Sequence, residues 1–210
     1  MTAVRAWKIR YLWPIMSSTF VVFEDYLKGK GDFSAADIEQ MREASFIKKL
    51  YKKQYLLQEG DVWRYDAFVA KGCVRTYARD EKGQDHVINF AIENWWTGDR
   101  ESLLSGQPAR LNIDAIEDSE IILWPHGNFE KLCVGVPAFG ALVHSIINRS
   151  FVASQKRIET ALTLTAEQKY ADYLQRYPQI VSRVPQAMLA SYLGMTPETL
   201  SRVRNQIARK

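Results

Sequence analysis

The fold of the C-terminal region is decided by one stretch, Gln186-Ala-Met-Leu-Ala-Ser-Tyr-Leu-Gly-Met-Thr-Pro-Glu-Thr-Leu-Ser-Arg-Val-Arg-Asn205. Gly194 separates two short helical segments, since glycine readily supplies the left-handed backbone that a tight turn needs. Thr196 can cap the second helix, and Pro197 fits its first turn, where a missing N–H costs nothing. The predicted inner faces consist of Leu189, Ala190, Leu193, Leu200 and Val203. This pattern is typical of a helix-turn-helix, whose second helix can enter the DNA major groove.

Positive charge is concentrated in the same region. The chain carries a formal net charge of +4. From Ser182 onward there are five basic residues and one acid, Glu198, so this segment alone contributes +4 and the rest is near neutral. The basic residues are Arg183, Arg202, Arg204, Arg209 and Lys210. A basic module on a neutral body favours a nucleic-acid partner over a membrane surface.

The composition is that of a globular protein with a hydrophobic core, and the cysteine content indicates a reducing compartment. The chain has 210 residues, of which 47% are hydrophobic. Cys73 and Cys133 are far apart and outside any metal-binding spacing, which argues against a disulfide framework and for a cytoplasmic protein. No apolar run approaches the ~20 residues that span a bilayer, so no membrane partner is expected.

The middle of the chain reads as short strands between helical segments. Residues 17–50 have helical patterning, with Ser34 as a predicted cap and Asp37 three positions later. Residues 51–124 carry turn signals between apolar alternations, which favour a β-sandwich or jelly roll. The alternating residues are Ile88, Phe90 and Ile92, then Leu111, Ile113 and Ala115, then Ile121 and Leu123.

A long helix is predicted to follow from Pro137. Its apolar stripe consists of Phe139, Leu142, Val143, Ile146 and Ile147. Such a stripe is usually intramolecular core, but this one is wide enough to face both the roll and a second copy of the chain. A dimer is favoured because two helix-turn-helix units on a two-fold axis can read half-sites about 34 Å apart. A further helix is predicted from Thr165 to near Pro178.

These elements predict an α+β fold: an N-terminal antiparallel β-roll or jelly roll, a long connecting dimerisation helix and a C-terminal helix-turn-helix domain. The predicted boundaries are 17–136 for a sensor domain, 137–160 for the long helix and 161–210 for the DNA-binding domain. Residues 1–16 are interpreted as a loosely ordered or non-native extension, with Met16 as an alternative start.

This order of elements resembles the Crp/Fnr family of bacterial transcription regulators. Three stretches carry the resemblance: 183–202, Leu56-Leu-Gln-Glu-Gly-Asp61 and Phe68-Val-Ala-Lys-Gly-Cys-Val-Arg75. It covers roughly residues 20–210. In that family the recognition helix carries Glu-x-x-(Ser/Gly)-Arg, and the resemblance implies that Glu198, Ser201 and Arg202 read base edges.

The side-chain chemistry of these three residues suits base reading. An arginine fork matches guanine O6 and N7, and a carboxylate accepts from cytosine N4. The alternative interpretations are that Glu198 only stabilises a helix dipole and that Arg202 is a solvated surface base. Phosphate contacts, which position the module without specifying sequence, are predicted for Gln186, Thr196, Thr199, Arg204, Arg209 and Lys210.

An effector pocket is implied by the same resemblance. Cyclic-nucleotide-binding members hold ribose and cyclic phosphate with a Gly-Glu pair and an Arg-Ser/Thr-Ala segment. The corresponding residues here are Gly98, Asp99 and Arg110, followed by Leu111 and Asn112 where the family has a hydroxyl and a small residue. Losing a hydroxyl donor weakens a phosphate site, so cyclic nucleotide binding and a resident cofactor are not expected. The pocket could instead be collapsed or adapted to another effector.

An enzymatic interpretation finds little support. Jelly rolls include metal-dependent enzymes, which need convergent histidines and a carboxylate, but His86, His126 and His144 are widely separated in the sequence. No phosphate loop, nucleophile elbow or paired-carboxylate motif occurs. We therefore predict no enzyme, no catalytic residue and no metal site.

The sequence thus predicts a homodimeric regulator that binds a pseudo-palindromic operator in double-stranded DNA. RNA polymerase and an unidentified small-molecule effector are expected as further partners. The alternative is an effector-binding sensor that acts through protein partners and carries a degenerate DNA-binding module.

Overall fold

Two four-stranded antiparallel sheets form the centre of the protein. A computed structural model describes residues 13–208. Its strands are β1 (Phe46–Leu50), β2 (Tyr55–Leu57), β3 (Tyr65–Lys71), β4 (Val74–Arg79), β5 (Asp85–Ala91), β6 (Trp96–Thr97), β7 (Asn112–Ala115) and β8 (Ser119–Pro125). One sheet has the order β1-β8-β3-β6 and the other the order β2-β7-β4-β5. The predicted β-roll is confirmed.

Helices precede and follow the strands in sequence, and one short helix, α3, lies between β6 and β7. They are α1 (Trp13–Leu27), α2 (Ala35–Glu43), α3 (Arg100–Ser105), α4 (His126–Gly135), α5 (Pro137–Thr163), α6 (Ala166–Arg176), α7 (Pro178–Val181), α8 (Gln186–Tyr192) and α9 (Pro197–Ala208). The predicted boundary at residue 16 falls inside α1, and α5 ends three residues beyond the predicted 160. Predictions for residues 1–12, Arg209 and Lys210 lie outside the described residues.

The N-terminal segment is helical only up to Glu43. The Ser34 hydroxyl accepts from the Asp37 N–H at 3.1 Å, and the Asp37 carboxylate accepts from the Ser34 N–H at 2.9 Å. This capping box confirms the predicted helix start. The prediction that helical structure continues to residue 50 is wrong, because Phe46–Leu50 forms β1, in which Phe46 pairs with Leu123 of β8.

Strands β3 and β8 are buried on both faces. Ile121 and Leu123 lie between the two sheets, whereas Ile122 and Trp124 face the helices. The Trp124 indole N–H donates to the Met41 carbonyl at 2.8 Å, which satisfies its polar group in the core. The predicted alternation of Ile121 and Leu123 is therefore confirmed, and the residues between and after them are buried as well, as expected for a strand covered on both sides.

The alternation predicted for Ile88, Phe90 and Ile92 holds only in part. Phe90 and Ile92 are buried as predicted, but Val87 is buried in place of the half-buried Ile88. The pairing of β4 with β5 shifts register between Thr76 and Tyr77. A β-bulge of this kind turns the following side chains to the other face.

The long helix α5 begins at Pro137 as predicted, but its apolar stripe belongs to the intramolecular core. Phe139 and Leu142 are buried against the roll and α1, and Val143 and Ile146 pack on the same cluster. Assigning Phe139 and Leu142 to a dimer surface is therefore corrected, because their apolar surface is already covered within the chain. Ile147 stays partly exposed.

The C-terminal helices share a hydrophobic cluster with the roll. Tyr170 and Tyr173 of α6 are buried, and Thr165 forms a capping box with Gln168 at the start of this predicted helix. The cluster also includes roll residues, among them Cys73 and Phe90. The helix-turn-helix unit therefore rests directly on the roll.

No single helix within residues 13–208 is long and apolar enough to cross a membrane. Helices α4 and α5 reach that length and composition only when taken as a pair, and they are bent by 119° at the break between them.

Gly72 generates a stability prediction. Its φ is +95°, and an added Cβ would lie 2.2 Å from the Ser119 hydroxyl and 2.7 Å from the Asp118 carbonyl. Gly83 has a similar φ of +80° with open space around it. We expect Gly83→Ala to cost about 1 kcal/mol of unfolding free energy through backbone strain, and Gly72→Ala about 1–3 kcal/mol more through the clash. Urea denaturation measures both, and equal losses would contradict the predicted clash.

Candidate nucleic-acid interface

The turn of the helix-turn-helix is built as its sequence predicts. Gly194 has a left-handed φ of +67° at the end of α8. Its N–H donates to the Ser191 carbonyl at 3.1 Å, and the Met195 N–H donates to the Ala190 carbonyl at 3.0 Å. These two bonds are those of a Schellman motif, which satisfies the last carbonyls of a helix. The motif fixes the angle at which the chain enters α9.

The start of α9 and the packing of the two helices also follow the prediction. The Thr199 N–H donates to the Thr196 hydroxyl at 3.2 Å, so Thr196 caps the helix and Pro197 occupies its first turn. Ala190 and Leu200 are fully buried at the contact between the helices. Leu189, Leu193 and Val203 are buried beside them.

The three predicted base-reading residues lie exposed on α9. Glu198, Ser201 and Arg202 occupy consecutive turns of one side of the helix, away from the buried Leu200 and Val203. Hydrogen bonds from its own backbone N–H and from the Thr196 side chain hold the pKa of Glu198 below its ordinary value. The carboxylate is therefore ionised and available as an acceptor at neutral pH.

Arg202 is oriented by a neighbour on the same helix. One of its terminal nitrogens donates to the Thr199 hydroxyl at 3.3 Å. The same hydroxyl lies 3.2 Å from that of Thr196. The hydroxyls of Thr196 and Thr199, which are predicted to contact phosphates, are thus hydrogen-bonded within α9. Thr199 therefore also orients the Arg202 side chain.

The other predicted phosphate-contacting residues surround this surface. Gln186 is exposed at the first position of α8, and Arg204 is partly exposed on α9. Arg183 is different from the rest of the basic segment, because its guanidinium donates to Glu93 at 2.7 and 3.0 Å and also to Glu117. One of the five predicted basic charges is therefore neutralised within the protein.

The implied effector pocket is a cavity of about 280 Å³ beside α3. Asp99 and Arg110 line it together with Glu101, Ser102, Ser105, Gln107, Pro108 and Ala109. Gly98 lies next to the cavity, where a Cβ would approach the Trp63 indole nitrogen to 2.7 Å. Two of the three predicted pocket residues, Asp99 and Arg110, therefore line one cavity, and Gly98 directly precedes Asp99 in the chain.

Asp99 and Ser102, two polar residues that line this cavity, are hydrogen-bonded within the protein. The Asp99 carboxylate caps α3 by accepting from the Ser102 N–H at 3.0 Å. The Ser102 hydroxyl donates to the Gln107 carbonyl at 2.6 Å and accepts from the backbone N–H of Trp63 at 3.0 Å. Asn112 lies in β7, outside the lining of this cavity, and its side chain accepts from the Glu59 N–H at 3.0 Å. Arg110 is exposed at the rim.

The histidines are dispersed in space as in sequence. His86 pairs with Asp80 at 2.8 Å and His126 with Asp66 at 2.7 Å, whereas His144 lies exposed on α5. Within residues 13–208 no cluster of three or more His, Cys, Asp or Glu side chains is placed to hold a metal ion.

Two side chains that the sequence analysis did not single out, Ser191 of α8 and Arg157 of α5, bind strand β5 of the roll. The Ser191 hydroxyl donates to the Asp85 carbonyl at 3.0 Å, across 106 positions of sequence. Arg157 of α5 donates to the carbonyls of Val87 and Ile88 in β5. Contacts between such distant positions leave no local pattern, so periodicity and motif spacing could not reveal them.

Comparisons with known proteins agree with this architecture. Residues 47–135 match the family described as Cyclic nucleotide-binding domain. The chain is 26% identical to the regulatory protein HlyX of Actinobacillus pleuropneumoniae over 173 residues, which cover 74% of this chain and 69% of HlyX. It is 23% identical to the transcriptional activator protein FnrA of Stutzerimonas stutzeri, with 73% and 67% of the two chains covered.

Solved structures show the same fold. FixK2 from Bradyrhizobium japonicum superposes with a TM-score of 0.69 at 20% identity, covering 79% of this chain and 85% of FixK2. The catabolite activator protein of Thermus thermophilus superposes with a TM-score of 0.54 at 18% identity, covering 88% and 86%.

The sequence relatives are regulators of transcription and not enzymes, which agrees with the prediction that this chain is not an enzyme. The family match lies within the predicted sensor domain, and the relatives extend the similarity over most of the chain. Residues 47–135 thus match the cyclic nucleotide-binding domain family, and the chain as a whole is similar to Crp/Fnr-type transcription regulators in sequence and in fold.

Proposed function

We propose that the protein is a cytoplasmic homodimer that binds a pseudo-palindromic DNA operator through residues 186–205 and regulates transcription. The observation that carries this proposal is the exposure of Glu198, Ser201 and Arg202 together on the capped helix α9. An exposed arginine beside an ionised carboxylate provides the donor and acceptor that distinguish guanine from cytosine in the major groove. Gln186 and Arg204 flank this group, where phosphate contacts would fix its register.

A second face of α5 supports dimer formation. Ile147, Phe151, Ser154, Ile158 and Leu162 follow one another at intervals of four, three, four and four residues, which places them on one side of the helix. Phe151, Ile158 and Leu162 are 63%, 62% and 82% exposed. This face lies about a third of a turn from the face that packs on the roll. It replaces Phe139 and Leu142 as the proposed seam between two copies.

Cyclic nucleotide control is not part of the proposal, because Asp99, Leu111 and Asn112, at three of the positions that resemble the nucleotide site, are either hydrogen-bonded within the protein or apolar. Asp99 caps α3 and is only 4% exposed, so its carboxylate is not free to hold a ribose. The Asn112 side chain accepts from the backbone N–H of Glu59, and the Leu111 side chain has no group that could donate to a phosphate. The effector is therefore expected to be another small molecule, and RNA polymerase remains an expected partner.

Sequence selection from random double-stranded DNA with the purified full-length protein tests the function. We expect a two-fold symmetric site to be enriched, with the same result in the presence of cyclic AMP or cyclic GMP. Failure to enrich any sequence would support the alternative of a sensor that acts through protein partners. Enrichment only with a cyclic nucleotide would contradict the interpretation of the cavity.

The predicted base-reading role of Arg202 is tested by comparing its alanine variant with that of Arg209, which is predicted to contact only phosphate. Arg202→Ala should lose about 1–3 kcal/mol of discrimination between the selected site and random DNA. Arg209→Ala should weaken binding to both DNAs alike and reduce the slope of log affinity against log salt by about one. Fluorescence anisotropy titrations at several salt concentrations measure both effects. Equal losses on the two DNAs for Arg202→Ala would refute its base-reading role.

The proposed dimer seam has a matched control on the same helix. Phe151→Glu buries a charge between two copies, so it should convert the dimer to a monomer in sedimentation analysis. Val152 is equally exposed, at 62%, but it lies on a different side of α5. Val152→Glu should leave the dimer intact. Dissociation by both variants, or by neither, would exclude this seam.

A further inference from the structure

The free edge of β5 is the place where the helix-turn-helix meets the roll. Strand β5 ends its sheet in the order β2-β7-β4-β5, so one side of it has no neighbouring strand among residues 13–208. The Ser191 hydroxyl accepts from the Val87 N–H at 2.9 Å and donates to the Asp85 carbonyl at 3.0 Å. A single side chain of α8 thus bonds a donor and an acceptor that a further strand would otherwise use.

Arg157 completes this contact from the long helix. Its guanidinium donates to the Val87 carbonyl at 3.2 Å and to the Ile88 carbonyl. It also lies over the Tyr192 ring, with 4.3 Å between the guanidinium carbon and the ring centroid. Such stacking adds a cation–π attraction to the hydrogen bonds. One side chain therefore links the long helix, the roll and the first helix of the DNA-binding unit.

Arg183 provides a second link at the other end of α8. It bonds Glu93 and Glu117, which lie in two different turns of the roll. Glu93 is held in place because it also accepts from the Gly72 N–H at 2.7 Å. Burial raises the pKa of Glu93, but the bonds from Arg183 and from backbone N–H groups outweigh it and lower the pKa overall. The pair is therefore charged at neutral pH.

These contacts leave the DNA-binding surface open. Gln186, Thr196, Glu198, Ser201 and Arg202 are all exposed, and none of them bonds the roll. The contacts formed by Arg157, Ser191 and Arg183, here named the edge clasp, therefore hold the helix-turn-helix without covering its readers. Their effect is on orientation, because they fix α8 relative to both the roll and α5.

We propose that Arg157, Ser191 and Arg183 are positioning residues that determine which spacing between operator half-sites the dimer accepts. The inference rests on the proposed function, a dimer that reads two half-sites. The distance between the two recognition helices is set by how each unit sits on α5 and the roll. Each added base pair moves a half-site by about 3.4 Å and rotates it by about a tenth of a turn. A clasped unit can match one spacing, whereas a released unit can swivel to match several and must be ordered again on binding.

The test uses the full-length protein and a series of DNAs in which two selected half-sites are separated by spacers that differ by one base pair. Wild type should prefer one spacing by about tenfold or more over its neighbours. The triple variant Arg157→Gln, Ser191→Ala, Arg183→Gln should lose affinity for that spacing and bind the neighbouring spacings to within about threefold of it. A purely structural loss of folded protein would lower all affinities and leave the preference intact.

Two controls separate this role from others. Arg149→Gln changes an arginine on the same helix that bonds only the Ser145 carbonyl of α5, so the spacing preference should stay as in wild type. Arg202→Ala should lower affinity at every spacing and keep the shape of the profile. An unchanged profile in the triple variant, or tighter binding at the preferred spacing, would overturn the proposal.

A measurement without DNA makes failure of the clasp distinguishable from failure of the proposed function. Hydrogen exchange at the Val87 amide reports its bond to Ser191 directly. Ser191→Ala should accelerate that exchange by about tenfold, and Arg149→Gln should not. Unchanged exchange in Ser191→Ala would show that the clasp does not form in solution. If Ser191→Ala accelerates exchange but the wild-type protein binds no DNA, the contact between Ser191 and Val87 exists in solution and the proposed function is rejected. The spacing role is then rejected with it.

Discussion

The burial of strands β3 and β8 on both faces is the constraint on which the rest of the architecture depends. Their inward side chains fill the space between the two sheets, and their outward ones, among them Phe68 and Trp124, require a second apolar cover. Helices α1, α4 and α5 supply that cover. The first half of α5 is therefore fixed to the roll, and its direction determines where the second half and the C-terminal helices lie.

This anchoring divides one helix between two tasks. Phe139 and Leu142 are used by the core, whereas Phe151 and Ile158 stay exposed on a different side. A helix that is apolar on one side at its start and on another side towards its end can pack within the chain and still present a seam to a second copy. The proposed dimer contact and the contact with the roll therefore use different side chains of α5.

Arginine has three different surroundings in the C-terminal half of the protein. Arg202 is exposed on the recognition helix, Arg183 is bound by two glutamates, and Arg157 lies across a strand edge against a tyrosine ring. The charge count alone treats Arg183 and Arg202 as equivalent parts of a basic surface. The structure separates them, because Arg202 is free to contact DNA whereas Arg183 is bound by Glu93 and Glu117, so a count of basic residues overstates the charge that can face DNA.

The sequence by itself determined the features that depend on local rules. The left-handed Gly194, the Thr196 cap, the capping boxes of Ser34 and Thr165 and the start of α5 at Pro137 follow from backbone preferences that act within a few residues. The cavity residues and the family were accessible through a resemblance carried by short motifs. Only the tertiary structure decided that Phe46–Leu50 is a strand, that Phe139 and Leu142 belong to the core, and that Ser191 and Arg157 meet the edge of β5. Each of these depends on a partner far away in the chain, and burial and pairing with distant residues override the local pattern.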